Sequence, residues 1–136
     1  MKKLLVATDG SEHSKTALAF AAEMAMLTGA SLTIALVNVV QGGGRAPYMY
    51  VFEDKDAQRI VKDAAAQALK AGVSKVDEVL LKGREASAAI VHYAESAGID
   101  HIIVGTGDKH GISRLMLGSV AADVASRAHC GVTIAR

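Results

Sequence analysis

Two places in the chain combine residue types that handle charged ligands. Near the start, residues 3–8 (KLLVAT) form a short apolar, β-branched run that stops at Asp9 and Gly10, as a buried strand running into a turn would. An acidic side chain at such a strand end serves either a ligand or the turn and helix start that follow it. Toward the other end, residues 105–119 read GTGDKHGISRLMLGS, with glycines at 105, 107, 111 and 118. Gly118 permits close approach of the backbone to a phosphate. A helix opening at Ser119 and Val120 would turn unpaired N–H groups and the positive end of its dipole toward an anion. Ser119 adds a hydroxyl, as a ligand contact or as the cap of that helix. Gly105 either approaches the same ligand or ends its strand. Lys109, His110 and Arg114 are cationic partners for phosphate or solvent-facing side chains.

Other chemistries find less support. His13, His92, His101 and His129 fall in different segments with no zinc spacing, which favours structural or surface roles. The single cysteine, Cys130, excludes an internal disulfide, and its setting before Gly131 and an apolar run suits a small core side chain better than a reactive thiol. Fifteen Lys plus Arg against fourteen Asp plus Glu leave a net charge of +1, which gives no whole-chain attraction to nucleic acid or anionic lipid. The apolar run after Lys2 and Lys3 is broken at Thr8 and Asp9, unlike a signal peptide, and no stretch reaches the length needed to span a bilayer. A cytoplasmic protein with no membrane partner is the expectation.

The elements that must position these residues follow from periodicity. From residue 11 to about 28, Ala17, Phe20, Ala21, Met24 and Leu27 recur at helical spacing, with Ser11 as cap, Glu12 in the first turn and Gly29 as stop. Residues 31–40 are too apolar for a strand with one wet face. A glycine run from 42 opens a flexible-looking insert to about residue 52, whose Tyr48, Met49 and Tyr50 either cover a ligand or close the core edge. Residues 53–71 return to helical spacing, 75–81 read as a strand, 85–97 as a helix and 102–105 as a strand. A last helix runs from 119 to about 128, and residues 132–135 form the terminal strand.

At 136 residues the chain is expected to be one domain, residues 1–136, and with hydrophobic residues at 51% but aromatics at 4% its core must be filled by Ala, Val, Leu, Ile and Met in close layers. Five strands separated by four helices require crossovers between parallel neighbours, which predicts an α/β fold: a three-layer open sandwich around a five-stranded parallel sheet. Such sheets bind ligands beyond the carboxyl ends of their strands, where the direction of connection reverses. Asp9 and the segment after Val104 are the positions so marked.

Through VATDGSEHS at residues 6–14, GTGDKHGISRLMLGS at 105–119 and the small-residue ending AHCGVTIAR, the chain resembles the universal stress protein family over nearly its whole length. The resemblance implies an adenine nucleotide alpha hydrolase-like fold with strand order 3-2-1-4-5, frequent homodimers, and a division between nucleotide-binding and nucleotide-independent members. It places Ala7, Thr8 and Asp9 beside the base or ribose, and has backbone groups of Val39, with Val37 as rival, read the adenine edge. ATP-binding members carry glycine, two residues, glycine, nine residues, then Gly-Ser or Gly-Thr. Here Gly105 and Gly118-Ser119 match the ends, Asp108 stands at the middle glycine, Gly107 lies one residue earlier, and Gly111 matches a further family glycine.

A phosphate site at Gly105, Asp108, Gly111, Gly118, Ser119 and Val120 is therefore expected, with ATP as ligand and Mg²⁺ held through the nucleotide by Asp108 rather than by protein groups alone. The function implied is reversible ATP binding coupled to a homodimer or to a signalling partner of unknown identity. No catalytic residue is assigned and at most slow hydrolysis is expected. The alternative is a nucleotide-independent dimeric stress-response module, which the Asp108 departure favours. A phosphoacceptor domain lacks its paired acids and its central Asp, since Gly83 stands at that strand end. An ATP-pyrophosphatase lacks the Ser-Gly-Gly loop, and a general hydrolase lacks a nucleophile and base at certifiable spacing.

Overall fold

The computed structural model describes residues 1–106 and 118–136. Asp108 and Gly111 lie outside the described residues, as do Lys109, His110 and Arg114. In chain order the elements are β1 (Lys3–Ala7), α1 (Glu12–Thr28), β2 (Ser31–Gly43), β3 (Ala46–Tyr50), α2 (Asp54–Ala71), β4 (Val76–Gly83), α3 (Ala86–Ser96), β5 (His101–Gly105), α4 (Ser119–Arg127) and β6 (Gly131–Ala135).

Side-chain alternation along the central strands builds two cores. Leu4, Val6, Leu32, Ile34, Leu36 and Ile103 point to one face, where α1 and α2 pack through Ala17, Ala21, Ala25, Ala57, Ala64 and Ala68. Leu5, Ala35, Ile102 and Val104 point to the other, against Ile90 and Ala94 of α3 and Ala121 and Val124 of α4. Both faces of the sheet are covered, which accounts for strands that read as continuous apolar runs. Alanine on the helices lets each layer sit close to the sheet, so aromatic side chains are not needed to fill it. Among the described residues no helix is long and apolar enough to cross a membrane.

Five strands are parallel neighbours in the spatial sequence β4, β2, β1, β5, β6. The sheet is nevertheless mixed and six-stranded, which corrects the expectation of a purely parallel five-stranded one. The addition is β3, antiparallel to the far end of β2, with Val40 opposite Tyr50 and Gln41 opposite Met49. Residues 42–52 are thus mostly a hairpin rather than an insert. Gly42, Gly43 and Gly44 all hold positive φ (99°, 111° and 63°), and a side chain at Gly42 would collide with the Pro47 carbonyl. That is the backbone behaviour only glycine tolerates cheaply. Outside the hairpin, Lys82 and Arg84 sit over the rings of Tyr50 and Tyr48 at 4.9 and 5.2 Å, pinning it to the end of β4.

Candidate functional site

The chain leaves β1 in one direction, to β2 and then β4, and later returns to β1's other edge with β5 and then β6. The reversal falls between β1 and β5, where Val6 is paired with Ile103. A cleft of about 380 Å³ opens beyond the carboxyl ends of these strands, its floor formed by Ala7, Thr8, Val104 and Gly105. This is the position at which such sheets receive ligands, and the volume lies at the small end of the range for organic ligands.

Three helices begin at the rim of the cleft. Ser11 caps α1, accepting the Ser14 N–H at 3.3 Å; Ala86 is the first residue of α3; and Val120 lies in the first turn of α4. All three residues line the cleft. The positive ends of three helix dipoles therefore converge on a space walled in large part by Val37, Val39, Val51, Phe52, Ile90 and Val104.

The turn after β1 is fixed by a hydroxyl relay. Gly10 N–H donates to Thr8 Oγ1 at 3.2 Å, Thr8 Oγ1 donates to Ser14 Oγ at 3.0 Å, and Ser14 Oγ donates to the Ser11 carbonyl at 2.7 Å. Thr8 N–H also donates to the Ala35 carbonyl at 2.8 Å. Both hydroxyl protons are used within the turn, a structural arrangement rather than a nucleophile awaiting a base. Asp9 is exposed and lines the cleft, and its Oδ1 accepts the Ser11 N–H at 2.9 Å, so it shapes the turn while facing the site.

Beside the cleft, β2 offers one peptide edge that no strand among the described residues pairs. Alternate residues of a strand turn their N–H and C=O to opposite edges. The Ala35 carbonyl accepts from Thr8 and the Val39 carbonyl accepts from Val51 N–H at 3.0 Å, so the N–H and C=O of Val37 face the same edge between them. The β1 register ends at Ala35 and the β3 register begins at Val40, leaving Val37 in the gap. Val39 also lines the cleft, but its carbonyl is already engaged.

Gly105 lines the cleft and has a packing reason to be glycine. A Cβ there would lie 3.0 Å from the His13 carbonyl oxygen, in the first turn of α1. Gly105→Ala is expected to lower stability by about 1–3 kcal/mol through overpacking against backbone. Urea unfolding of ligand-free protein checks this, and unchanged stability would refute the packing role. Gly118 is buried and is itself the N-cap of α4, with Ser119 the first helical residue, so Ser119 is not the cap. Cys130 is half-buried, and burial, aided by the charge of Asp100, pushes its thiol above the ordinary range. His101 Nε2 lies 2.7 Å from the Thr133 hydroxyl and His129 Nε2 lies 3.1 Å from the Ile99 carbonyl, both structural contacts.

Of the cleft residues, sequence reasoning missed Ser11 as a lining group, along with His13, Ser14, Val51, Phe52, Ala86 and Ile90. Tyr48, Met49 and Tyr50 do not line it; the hairpin contributes its exit, Val51 and Phe52, instead.

Known proteins are similar to the chain in sequence and in fold. The chain is 31% identical over 147 aligned positions to the universal stress protein YxiE of Bacillus subtilis, covering 98% of each chain. A crystal structure of a universal stress protein in complex with cAMP is similar at a TM-score of 0.79, with 26% identity over 99% of this chain and 97% of that one. The universal stress protein from Archaeoglobus fulgidus in complex with dAMP is similar at 0.75, with 28% identity over 100% of this chain and 98% of that one. The family model for universal stress proteins matches residues 1–136. With the family model spanning the whole chain and a relative 31% identical across it, the chain belongs to the universal stress protein family.

Proposed function

We propose that this protein binds adenine nucleotides reversibly in the cleft above β1 and β5, with ATP the favoured ligand, and couples the bound state to homodimer or partner interactions. The observation that carries the proposal is the convergence of three helix starts on an apolar cleft at the point of reversal in the sheet. The apolar walls suit a base, the exposed Asp9 carboxylate suits ribose hydroxyls, and the helix starts suit phosphate. Both relatives solved with a nucleotide hold an adenine nucleotide.

The Val37 edge supports the choice of base. A neighbouring N–H and C=O match adenine, which accepts at a ring nitrogen and donates from its amino group; guanine places a carbonyl oxygen where that amino group stands. Ala7, Thr8 and Asp9 lie toward the ribose in this reading. Gly118, Ser119 and Val120 are assigned to the phosphates, and Asp108 is the carboxylate assigned to share Mg²⁺ with them. The β6 edge is assigned to the dimer contact, since an unpaired strand edge invites a second copy.

Small molecules extracted from natively purified protein and identified by mass spectrometry test the reading, together with calorimetry and sedimentation velocity with and without ATP. Adenine nucleotide is expected in the extract, with saturable ATP binding and a dimer in solution. Absence of bound nucleotide and of ATP heat at millimolar ligand would overturn the nucleotide assignment in favour of the nucleotide-independent module. A monomer in every condition would overturn the coupling.

A further inference from the structure

One wall of the cleft is formed by chain that belongs to no helix or strand. Val51 and Phe52 lie between the end of β3 and the start of α2, and both line the cleft. Val51 N–H donates to the Val39 carbonyl at 3.0 Å. Phe52 is held by a single side chain: its N–H donates to Asn38 Oδ1 at 2.9 Å, and its carbonyl accepts from Asn38 Nδ2 at 2.8 Å.

Asn38 is 2% exposed, in a strand segment that otherwise reads Leu-Val-Asn-Val-Val. A buried primary amide is costly unless both of its halves are bonded. Here the donor and the acceptor meet the same residue, so the side chain imitates a neighbouring strand where the ladder has run out. Asn38 also follows Val37 directly and shares its peptide bond. Asn38 therefore holds the wall at Phe52 with its side chain while its backbone is joined directly to Val37, another residue of the cleft lining.

We infer that Asn38 is a positioning residue for base selectivity, setting the separation between the Phe52 wall and the Val37 edge without touching the ligand itself. The inference rests on the adenine-nucleotide reading given above. Loss of the clamp would let the Val51–Phe52 segment shift while the Phe52 ring stays against the α1 and α2 core. The base slot would then widen, and the discrimination that depends on a close fit would fall before general binding did.

The test compares wild type with Asn38→Asp, which keeps an acceptor for the Phe52 N–H but sets a carboxylate oxygen against the Phe52 carbonyl. Asn38→Ser, which leaves room for water at Phe52, serves if the aspartate variant does not fold. Calorimetry is run with AMP, GMP and ribose 5-phosphate, alongside thermal unfolding. The expected result is about tenfold weaker AMP binding, the size of one lost hydrogen bond. The AMP to GMP preference should shrink by about threefold or more, and ribose 5-phosphate binding should stay within about twofold. An unchanged AMP to GMP ratio, or a parallel loss for ribose 5-phosphate, would show a merely structural role and overturn the inference alone. Wild type that binds no AMP would overturn the nucleotide reading and this inference with it.

Discussion

Ile103→Ala is expected to lower folding stability by about 2–5 kcal/mol and the melting temperature by roughly 10 °C. Ile103 is 0% exposed on β5, with Val6 of β1 on one side and Thr133 of β6 on the other. Its side chain enters the core beneath α1, whose buried apolar face is Ala17, Leu18, Ala21, Ala22 and Ala25. The four alanines are too short to swing into a vacated volume, and a strand bonded along both edges is held away from the helix. Much of the cavity therefore stays open, and the loss includes a cavity cost beyond the transfer of three carbons. Against a total stability of about 5–15 kcal/mol this is a large fraction. Urea unfolding checks the value; a loss below about 1 kcal/mol would show that the layer relaxes into the space.

Gly118→Val is expected to weaken ATP binding by about 10- to 100-fold, the effect of losing one or two hydrogen bonds to a charged group. Adenosine binding should change by no more than about threefold. Gly118 holds φ −62° and ψ 154°, extended backbone that any residue adopts, so conformation is not what requires glycine there. Space is the remaining requirement. The residue is buried at the start of α4, where a branched side chain would occupy the room that the proposed phosphate contacts require. Its carbonyl accepts the Ala122 N–H at 2.9 Å and would go on doing so in the variant, so the helix itself should survive. Calorimetry with both ligands on folded protein checks the split; equal ATP affinity would remove the phosphate site from the start of α4.

The sequence carried the layers well because their causes are local. Ser11, Glu12 and Gly29 mark α1, and the uninterrupted apolar runs mark strands covered on both faces. The hairpin was hidden because Gly42, Gly43 and Gly44 read equally as a flexible link and as a tight turn. The signal that separates these was present: apolar and aromatic residues flank the glycines on both sides, with Val39 and Val40 before them and Tyr48 to Val51 after. Gly105 shows a second limit. A glycine states that something comes close but not what, and here a helix carbonyl packs against a residue that also lines the cleft. Asn38 was passed over inside an apolar strand, although a lone amide at such a position must find two partners. His13 and Ile90 reach the cleft only through helix packing, which no local spacing records.

The pairing of β1 with both β2 and β5 bears on how the chain is made. Leu4 meets Leu32 on one edge and His101 on the other. On a ribosome adding about 5–20 residues per second, the second partner emerges roughly 5–20 s after the first strand does. Once β2 has emerged and paired, and until β5 arrives, Leu4, Leu5 and Val6 would form the open edge of a half-built sheet, a surface that invites other strands. Nascent chains stalled before residue 101 are therefore the species most exposed to capture by chaperones, and release beyond β5 is the step that ends that exposure.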